Sequence, residues 1–171
     1  MKYVKLTAKQ KFSHYLVPIT MAFFALIPFY FFITIQTNQY LTLLNTILAS
    51  SFFFLFALYA FIVQKKALRF YSLNTNNREA KNGEIIVTIL SENGWHVIKN
   101  EKNIIQATGH GFRHKLDLRT WSELMTFQLN ATEIKVNSIC NPNDRAQFIS
   151  FGKNKQNIAD FEILYLKYFA G

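Results

Sequence analysis

Residues 15–63 read YLVPITMAFFALIPFYFFITIQTNQYLTLLNTILASSFFFLFALYAFIV and contain no Asp, Glu, Lys, Arg or His. The polar run QTNQ at residues 36–39 divides this segment into two apolar stretches, 16–35 and 41–63. A helix rises about 1.5 Å per residue and a hydrocarbon core is about 30 Å thick, so about 20 apolar residues span it. The segment therefore predicts a membrane protein with two antiparallel transmembrane helices, residues 16–35 and 41–63.

A soluble helical hairpin and a cleaved signal peptide are the two other interpretations of this segment. A soluble hairpin is disfavoured because a small domain cannot bury the phenylalanines that both stretches carry. A signal peptide has an apolar region of about 7–15 residues followed by a small-residue cleavage site. Here the first stretch is longer and a second apolar stretch follows it, so we expect an uncleaved anchor.

Cations flank the two stretches on their outer sides. They are Lys2, Lys5, Lys9 and Lys11 before the first stretch, and Lys65, Lys66 and Arg69 after the second. The short connecting loop has none, and Lys and Arg concentrate on the cytoplasmic side of membrane proteins. We therefore predict that residues 1–15 and the chain after residue 63 are cytoplasmic. The single cysteine, Cys140, suits a reducing compartment.

Two features of the apolar stretches predict details of their packing. Pro28 lies in the middle of the first stretch and should kink the helix, because proline removes a backbone hydrogen bond. Thr46, Ala49, Ser50 and Ser51 place small residues on the second stretch, where they allow helices to approach closely. Packing within the hairpin and docking against another membrane protein or a second copy are both consistent with this pattern.

After a juxtamembrane linker at residues 64–75, residues 76–171 predict a small α+β domain. Its predicted elements, in chain order, are a helix from Asn76 or Asn77 to about Asn93, a β-hairpin at 95–99 and 104–108, a second β-hairpin at 122–129 and 133–139, and a helix at 154–169. Residues 85–90 fit a strand as well as a helix. Both helices should cover one face of a four-stranded antiparallel sheet. The opposite face is then open to a partner, with His96, Lys135 and Asn137 on it, and residues 74–171 should fold without the hairpin.

Residues 80–165 carry several short patterns in a defined order. Asn93-Gly-Trp precedes a hairpin, Val-Asn-Ser-Ile occupies residues 136–139, and Phe-Gly-Lys-Asn-Lys-Gln-Asn-Ile occupies residues 151–158. In this order the segment resembles small bacterial domains of unknown function, although residues 142–148 depart from the charged pattern of those domains. The resemblance implies a fold and no activity. We expect the inner membrane of a bacterium as the location.

The stretch GHGFRHK at residues 109–115 is the candidate binding segment. It combines His110, Arg113, His114 and Lys115 with two glycines. Glycines let backbone N–H groups approach an anion, and the Arg guanidinium matches phosphate or carboxylate. The functional interpretation is a contact with an anion, a lipid headgroup or a partner. The competing interpretation is a solvated connection between strands.

Other chemistry is weakly supported by the sequence. His110 and His114 have the i, i+4 spacing that suits metal ligands on a helix, with Cys140 as a third candidate ligand, but the two glycines of this segment argue against a helix. Cys140 alone does not define a nucleophile. No phosphate-binding glycine motif is present, so we predict no cofactor, no metal and no catalytic residue. The net charge of +9 does not indicate nucleic acid binding, because four of the cations precede the first stretch.

Two functions remain for a chain of this organisation. The first is a membrane-anchored, non-enzymatic interaction module or accessory subunit, bound to the lipid bilayer and to another membrane protein or its own copy. The second is a two-helix membrane effector, whose cytoplasmic domain senses a small ligand such as a nucleotide and triggers membrane disruption. The second rests on architecture alone.

Overall fold

The computed structural model describes residues 3–34, 39–75, 79–110, 112, 122–130, 132–144 and 152–170. Its elements, in chain order, are α1 (Ala8–Phe24), α2 (Ile27–Thr34), α3 (Gln39–Ala67), β1 (Tyr71–Asn74), α4 (Glu79–Glu92), β2 (His96–Glu101), β3 (Ile104–Gly109), β4 (Glu123–Leu129), β5 (Glu133–Cys140) and α5 (Lys153–Ala170). Two long apolar helical segments thus precede an α+β domain, in which two helices pack on one sheet.

The apolar segments Ala8–Thr34 and Leu43–Ala67 are 27 and 25 residues long. By length and composition, each is sufficient to cross a membrane. The first helix begins well before residue 16, the start of the apolar stretch. Thr7 caps it, because its side-chain hydroxyl accepts a hydrogen bond from the Gln10 backbone N–H, while the Thr7 backbone N–H donates to the Gln10 side-chain oxygen.

The first apolar segment is broken between α1 and α2, one turn before Pro28. Ala25 still donates its backbone N–H to Met21, but Leu26 donates to Phe23, which is a tighter turn. Pro28 has no N–H to offer the carbonyl of the residue four positions earlier, and its ring crowds that carbonyl. The break therefore lies where the sequence predicts a kink.

The seam between the helices is built from small and polar side chains of α3. The buried members among its described side chains recur at intervals of three, four or seven residues: Thr46, Ser50, Ala57, Ala60 and Gln64. Such spacing places them on one face against the partner helix. Phe53 stacks near Phe24 at 6.1 Å between ring centroids. Thr46 and Ser50 therefore pack within the hairpin, while Ser51 lies on its outer surface.

The sheet has five antiparallel strands in the order β1-β5-β4-β3-β2, so the predicted four-stranded sheet is wrong. The additional strand, β1, lies inside residues 64–75, which the sequence assigns to a linker. Its four residues are too short to show a strand period, and it is held by pairing with β5, where Leu73 lies opposite Ile134. Leu73 is buried in the core of the domain, so the linker contributes to the fold.

Residues 85–90 belong to α4, which decides between the two interpretations of that segment. Ile86, Ile89 and Leu90 are fully buried at helical spacing. The predicted cap at Asn76 or Asn77 lies outside the described residues. The two β-hairpins and the C-terminal helix lie where the sequence predicts them, each within one or two residues of its expected ends.

Helices α4 and α5 pack on one face of the sheet, which we call the inner face. Phe161 of α5 is fully buried, with its ring 4.7 Å from that of Phe127 on β4. Tyr165 closes a buried polar triad, since its hydroxyl donates to Asn82 Oδ1 at 2.7 Å and lies 2.9 Å from the Thr75 hydroxyl. These contacts tie α5 both to the sheet and to the chain segment that follows β1.

Trp95 packs closely on Gly109 in this core. A Cβ added at Gly109 would lie 2.6 Å from Trp95 Cδ2, so the indole packs directly on the strand backbone. We predict that Gly109→Ala lowers the free energy of unfolding by about 1–3 kcal/mol, the usual range for overpacking. Chemical denaturation of the full chain in detergent, followed by tryptophan fluorescence, measures this change.

Gly83→Ala is the matched control. It lies within α4, where an added Cβ would meet Leu129 Cδ1 at 3.4 Å and Ile105 Cδ1 at 3.9 Å, both ends of flexible side chains. Alanine in a helix is favoured over glycine by about 0.5–1 kcal/mol, so this variant should be neutral or more stable. Equal destabilisation by both substitutions would contradict the packing of Trp95 on Gly109.

Candidate functional site at the helix–sheet junction

The outer face of the sheet, opposite α4 and α5, meets the two ends of the helical hairpin. The segment before α1 and the segment after α3 run side by side there. Val4 donates its backbone N–H to the Leu68 carbonyl at 2.9 Å, and Tyr3 forms an antiparallel bridge with Arg69. The Arg69 guanidinium carbon also lies 5.8 Å from the centre of the Tyr3 ring, within range of a cation–π interaction.

An apolar cluster joins these segments to the sheet. Val4, Leu6 and Leu68 come from the helix ends, and Leu124 and Ile139 come from the outer face of β4 and β5. Leu124 and Ile139 are opposite each other in the strand register and almost completely buried. Because burial of such side chains is worth roughly 1.5–3 kcal/mol each, this cluster holds the two parts of the chain together.

Asn137 supplies the polar part of the same contact. Its side-chain amide donates to the carbonyls of Ala67 and Arg69, both at 2.7 Å. Ala67 is the last residue of α3, and the carbonyls at the end of a helix have no partner within the helix. Asn137 therefore caps α3 from the sheet and is only 1% exposed. We call the apolar cluster and the Asn137 cap together the junction.

A second contact between the hairpin and the domain lies in the turn that follows β5. The Gln10 side chain, in the first turn of α1, donates to Asn143 Oδ1 at 3.4 Å. Asn143 belongs to the turn that follows β5, and its backbone N–H donates to Asn141 Oδ1 at 3.1 Å. Both helices of the hairpin thus contact β5 or the turn after it.

The open outer face predicted from the sequence is covered over β4 and β5. Of the three residues assigned to it, Asn137 is buried under α3, and Lys135 is half-buried with its ammonium 2.6 Å from the Glu133 carboxylate. His96 is exposed on β2, an edge strand. Along β3 the outer side chains, such as Gln106, are half-exposed, and Ser72 on the edge strand β1 is exposed, so the outer face is less covered towards both edges of the sheet.

The basic segment is placed in part. His110 follows β3 directly and is exposed. Arg113, His114 and Lys115 lie outside the described residues, so the structure neither assembles nor separates this candidate contact. Among the described residues, no group of three or more His, Cys, Asp or Glu side chains is placed to hold a metal ion.

Cys140 lies beside a buried polar cluster on the inner face. Asn157 of α5 donates to the Glu123 carboxylate and, at 3.2 Å, to the Ser138 hydroxyl, and Lys153 Nζ lies 3.9 Å from Glu123. Burial, and then the nearby Glu123 charge, raise the pKa of the Cys140 thiol to about 11. The thiol is therefore protonated at neutral pH, which makes it a poor nucleophile.

An open groove of about 480 Å³ lies between α4 and the turn from β2 to β3. Its charged lining consists of Glu84 and Glu101 against Lys102 alone. An excess of carboxylates repels phosphates, so this groove is a poor nucleotide site. The junction, by contrast, joins the apolar helical hairpin to the α+β domain. It is therefore the feature from which we propose a function.

No family model, no curated protein and no solved structure matches this chain. Its function is therefore proposed from its own residues.

Sequence reasoning missed the junction, although one signal for it was present. Leu124 and Met125 are adjacent on β4, so one of them faces each side of the sheet. Apolar residues at consecutive positions of a strand indicate that both faces are covered. Nothing in the sequence identifies what covers the outer face, since the covering segments are more than fifty residues away along the chain.

We predict that Asn137→Ala lowers the free energy of unfolding by about 1–3 kcal/mol, because two backbone carbonyls lose their buried donor. The same substitution should increase hydrogen exchange at residues 67–70. Denaturation and exchange of the full chain in detergent measure the two effects. Asn100→Ala, on the exposed edge of β2, is the control and should change neither. Unchanged exchange at residues 67–70 in Asn137→Ala would show that the cap does not hold α3.

Proposed function

We propose that this chain is a membrane-anchored interaction module without enzymatic activity. In this proposal the apolar segments cross the bilayer as a hairpin, and the α+β domain is held at the membrane surface to contact another membrane protein or a second copy. The observation that carries the proposal is the junction, because it fixes the domain to the two helices instead of leaving it on a free linker.

The outer surface of the hairpin supports membrane insertion. Large apolar side chains point away from the seam, and Phe52, Leu55 and Tyr59 are each more than 60% exposed. Contiguous apolar surface of this extent marks a contact with lipid or protein. The 27 and 25 residues of the two segments correspond to about 40 Å of helix, enough for a hydrocarbon core of about 30 Å with some tilt.

The junction also bears on orientation. Because Val4 bonds to Leu68, both ends of the hairpin lie on the same side of the proposed membrane. The flanking cations are at these ends, so the positive-inside rule places both termini in the cytoplasm. We propose the inner membrane of a bacterium as the location, on the resemblance of the domain to small bacterial domains.

The partner-binding surface is proposed on the α+β domain. Helix α5 exposes Ile163 (49%) and Leu166 (59%), one turn apart on its outer side. Strand β2 is an edge strand and exposes Ile98. Exposed apolar side chains and unpaired strand edges are features through which proteins associate.

We predict that the full chain resists extraction from membranes at high pH. We also predict that a compartment reporter fused in the loop between the two helices gives the opposite result to one fused at the C-terminus. A fusion at Asn38, in the predicted loop, should report the periplasm, and a fusion at Gly171 should report the cytoplasm. Periplasmic signal from Gly171 would overturn the orientation. Complete extraction by alkaline carbonate would overturn the anchoring itself.

The membrane effector is a second candidate, favoured by the polar atoms of the seam. The Ser50 hydroxyl and both polar atoms of the Gln64 amide are buried without a hydrogen-bond partner in the described part of the chain. Unpaired polar groups in an apolar environment cost roughly 2–7 kcal/mol each, so the closed hairpin carries a destabilising element. Opening of the hairpin would hydrate Ser50 and Gln64 and place a polar stripe in the bilayer.

Dye release from vesicles containing the full chain separates the two candidates. The interaction module predicts that vesicles stay tight, with or without added nucleoside triphosphates. The effector predicts release on addition of a nucleotide, and it predicts that Gln64→Leu, which removes the unpaired amide, abolishes the release. Leu58→Ala on the exposed surface of the same helix is the control and should leave any release unchanged.

A further inference from the structure

Exposed cations surround the ends of the hairpin. Among the described residues they are Lys5, Lys9, Lys11, Lys65, Lys66 and Arg69, and all six are exposed. The chain contains no acidic residue before Glu79. We call these six residues the basic collar. In the described part of the chain, none of them forms an ion pair with a carboxylate.

The fold brings these cations, which are far apart in sequence, to one level of the hairpin. The His14 ring nitrogen Nε2 lies 3.1 Å from the backbone carbonyl oxygen of Gln64, and this contact sets the register of the antiparallel helices. Counting from that contact at about 1.5 Å per residue places Lys11 and Lys66 within about one helical turn of it. The bond from Val4 to Leu68 brings the neighbouring Lys5 and Arg69 together in the same way.

Among the residues that the structure describes, no acidic side chain of the adjoining sheet forms an ion pair with the collar. Asp144, in the turn that Gln10 contacts through Asn143, accepts hydrogen bonds from the backbone and hydroxyl of Ser122. Glu133, next to the far end of β1, is paired with Lys135. The collar is therefore a concentrated positive surface directly beside the apolar helices.

We propose that the basic collar binds the phosphate headgroups of anionic phospholipids. This inference rests on the proposed membrane anchoring, since only an inserted hairpin holds the collar at headgroup level. Clusters of four to eight Lys and Arg immediately cytoplasmic of a transmembrane helix attract anionic lipids. Long cationic side chains extend along the apolar surface towards the interface, and Arg69 adds a bidentate match to phosphate.

Headgroup binding acts on the junction as well. Lys5 lies between Val4 and Leu6, and Arg69 follows Leu68, so the collar and the apolar cluster alternate along the same two segments. Lipids bound to the cations hold these segments in the arrangement that packs on Leu124 and Ile139.

Native mass spectrometry of the full chain in detergent tests the proposal. The protein is titrated with phosphatidylglycerol, with phosphatidylcholine, and with phosphatidylglycerol in the presence of inorganic phosphate. The combined variant Lys65→Gln, Lys66→Gln, Arg69→Gln removes half of the collar. The control variant Lys81→Gln, Lys155→Gln, Lys167→Gln removes the same charge from exposed positions on α4 and α5.

The wild type should retain phosphatidylglycerol at least tenfold more tightly than phosphatidylcholine, and less tightly as salt rises, because exposed charges are screened. At roughly fivefold per cation, the collar variant should lose about 100-fold of that affinity, while the control stays within about twofold. Equal affinity for the two lipids, equal losses in both variants, or full competition by millimolar inorganic phosphate would each overturn the lipid site. Extraction of the chain by alkaline carbonate would instead contradict the proposed membrane anchoring. The two experiments therefore distinguish failure of the lipid site from failure of the anchoring.

Discussion

The packing of the two hairpin ends on the outer face of β4 and β5 is the contact on which the rest of the arrangement depends. It joins three parts of the chain that are distant in sequence: the segment before α1, the end of α3, and the central strands. Burial of Leu124 and Ile139 stabilises this contact. Asn137 fixes the position of the end of α3, because its side-chain amide donates to two backbone carbonyls there.

Because of this contact, residues 64–75 are part of the folded structure and not a free linker. Residues 64–75 form the last turn of α3, a bridge to Tyr3 and strand β1, so little of this segment is free to act as a flexible linker. Because β1 completes the sheet beside β5, a fragment beginning at residue 74 lacks most of an edge strand and the Leu73 side chain of the core.

The regular elements were predictable because their periodicity is local. The apolar stretches, the alternation in the two β-hairpins and the apolar stripe of α5 each lie within one short segment. Residues 85–90 fit a strand as well as a helix in the sequence, and only the burial of Ile86, Ile89 and Leu90 in the structure decides for a helix. The fifth strand and the junction depend on pairing between distant segments, which no local pattern records. The same holds for the candidate site. The cations at the hairpin ends can be read from the sequence, but that they lie close together follows only from the antiparallel packing of α1 and α3 and the hydrogen bond from Val4 to Leu68.

We infer that the hairpin and the α+β domain form one rigid unit, because the junction fixes the domain to both helix ends. Distances between spin labels measure this directly, using Lys65→Cys at the end of α3 and Lys155→Cys on α5, with Cys140→Ser to remove the natural thiol. In lipid bilayers the account predicts a single narrow distance distribution, which broadens when Asn137→Ala is added. A broad distribution in the labelled protein with Asn137 intact would contradict it, because the domain would then move independently of the helices.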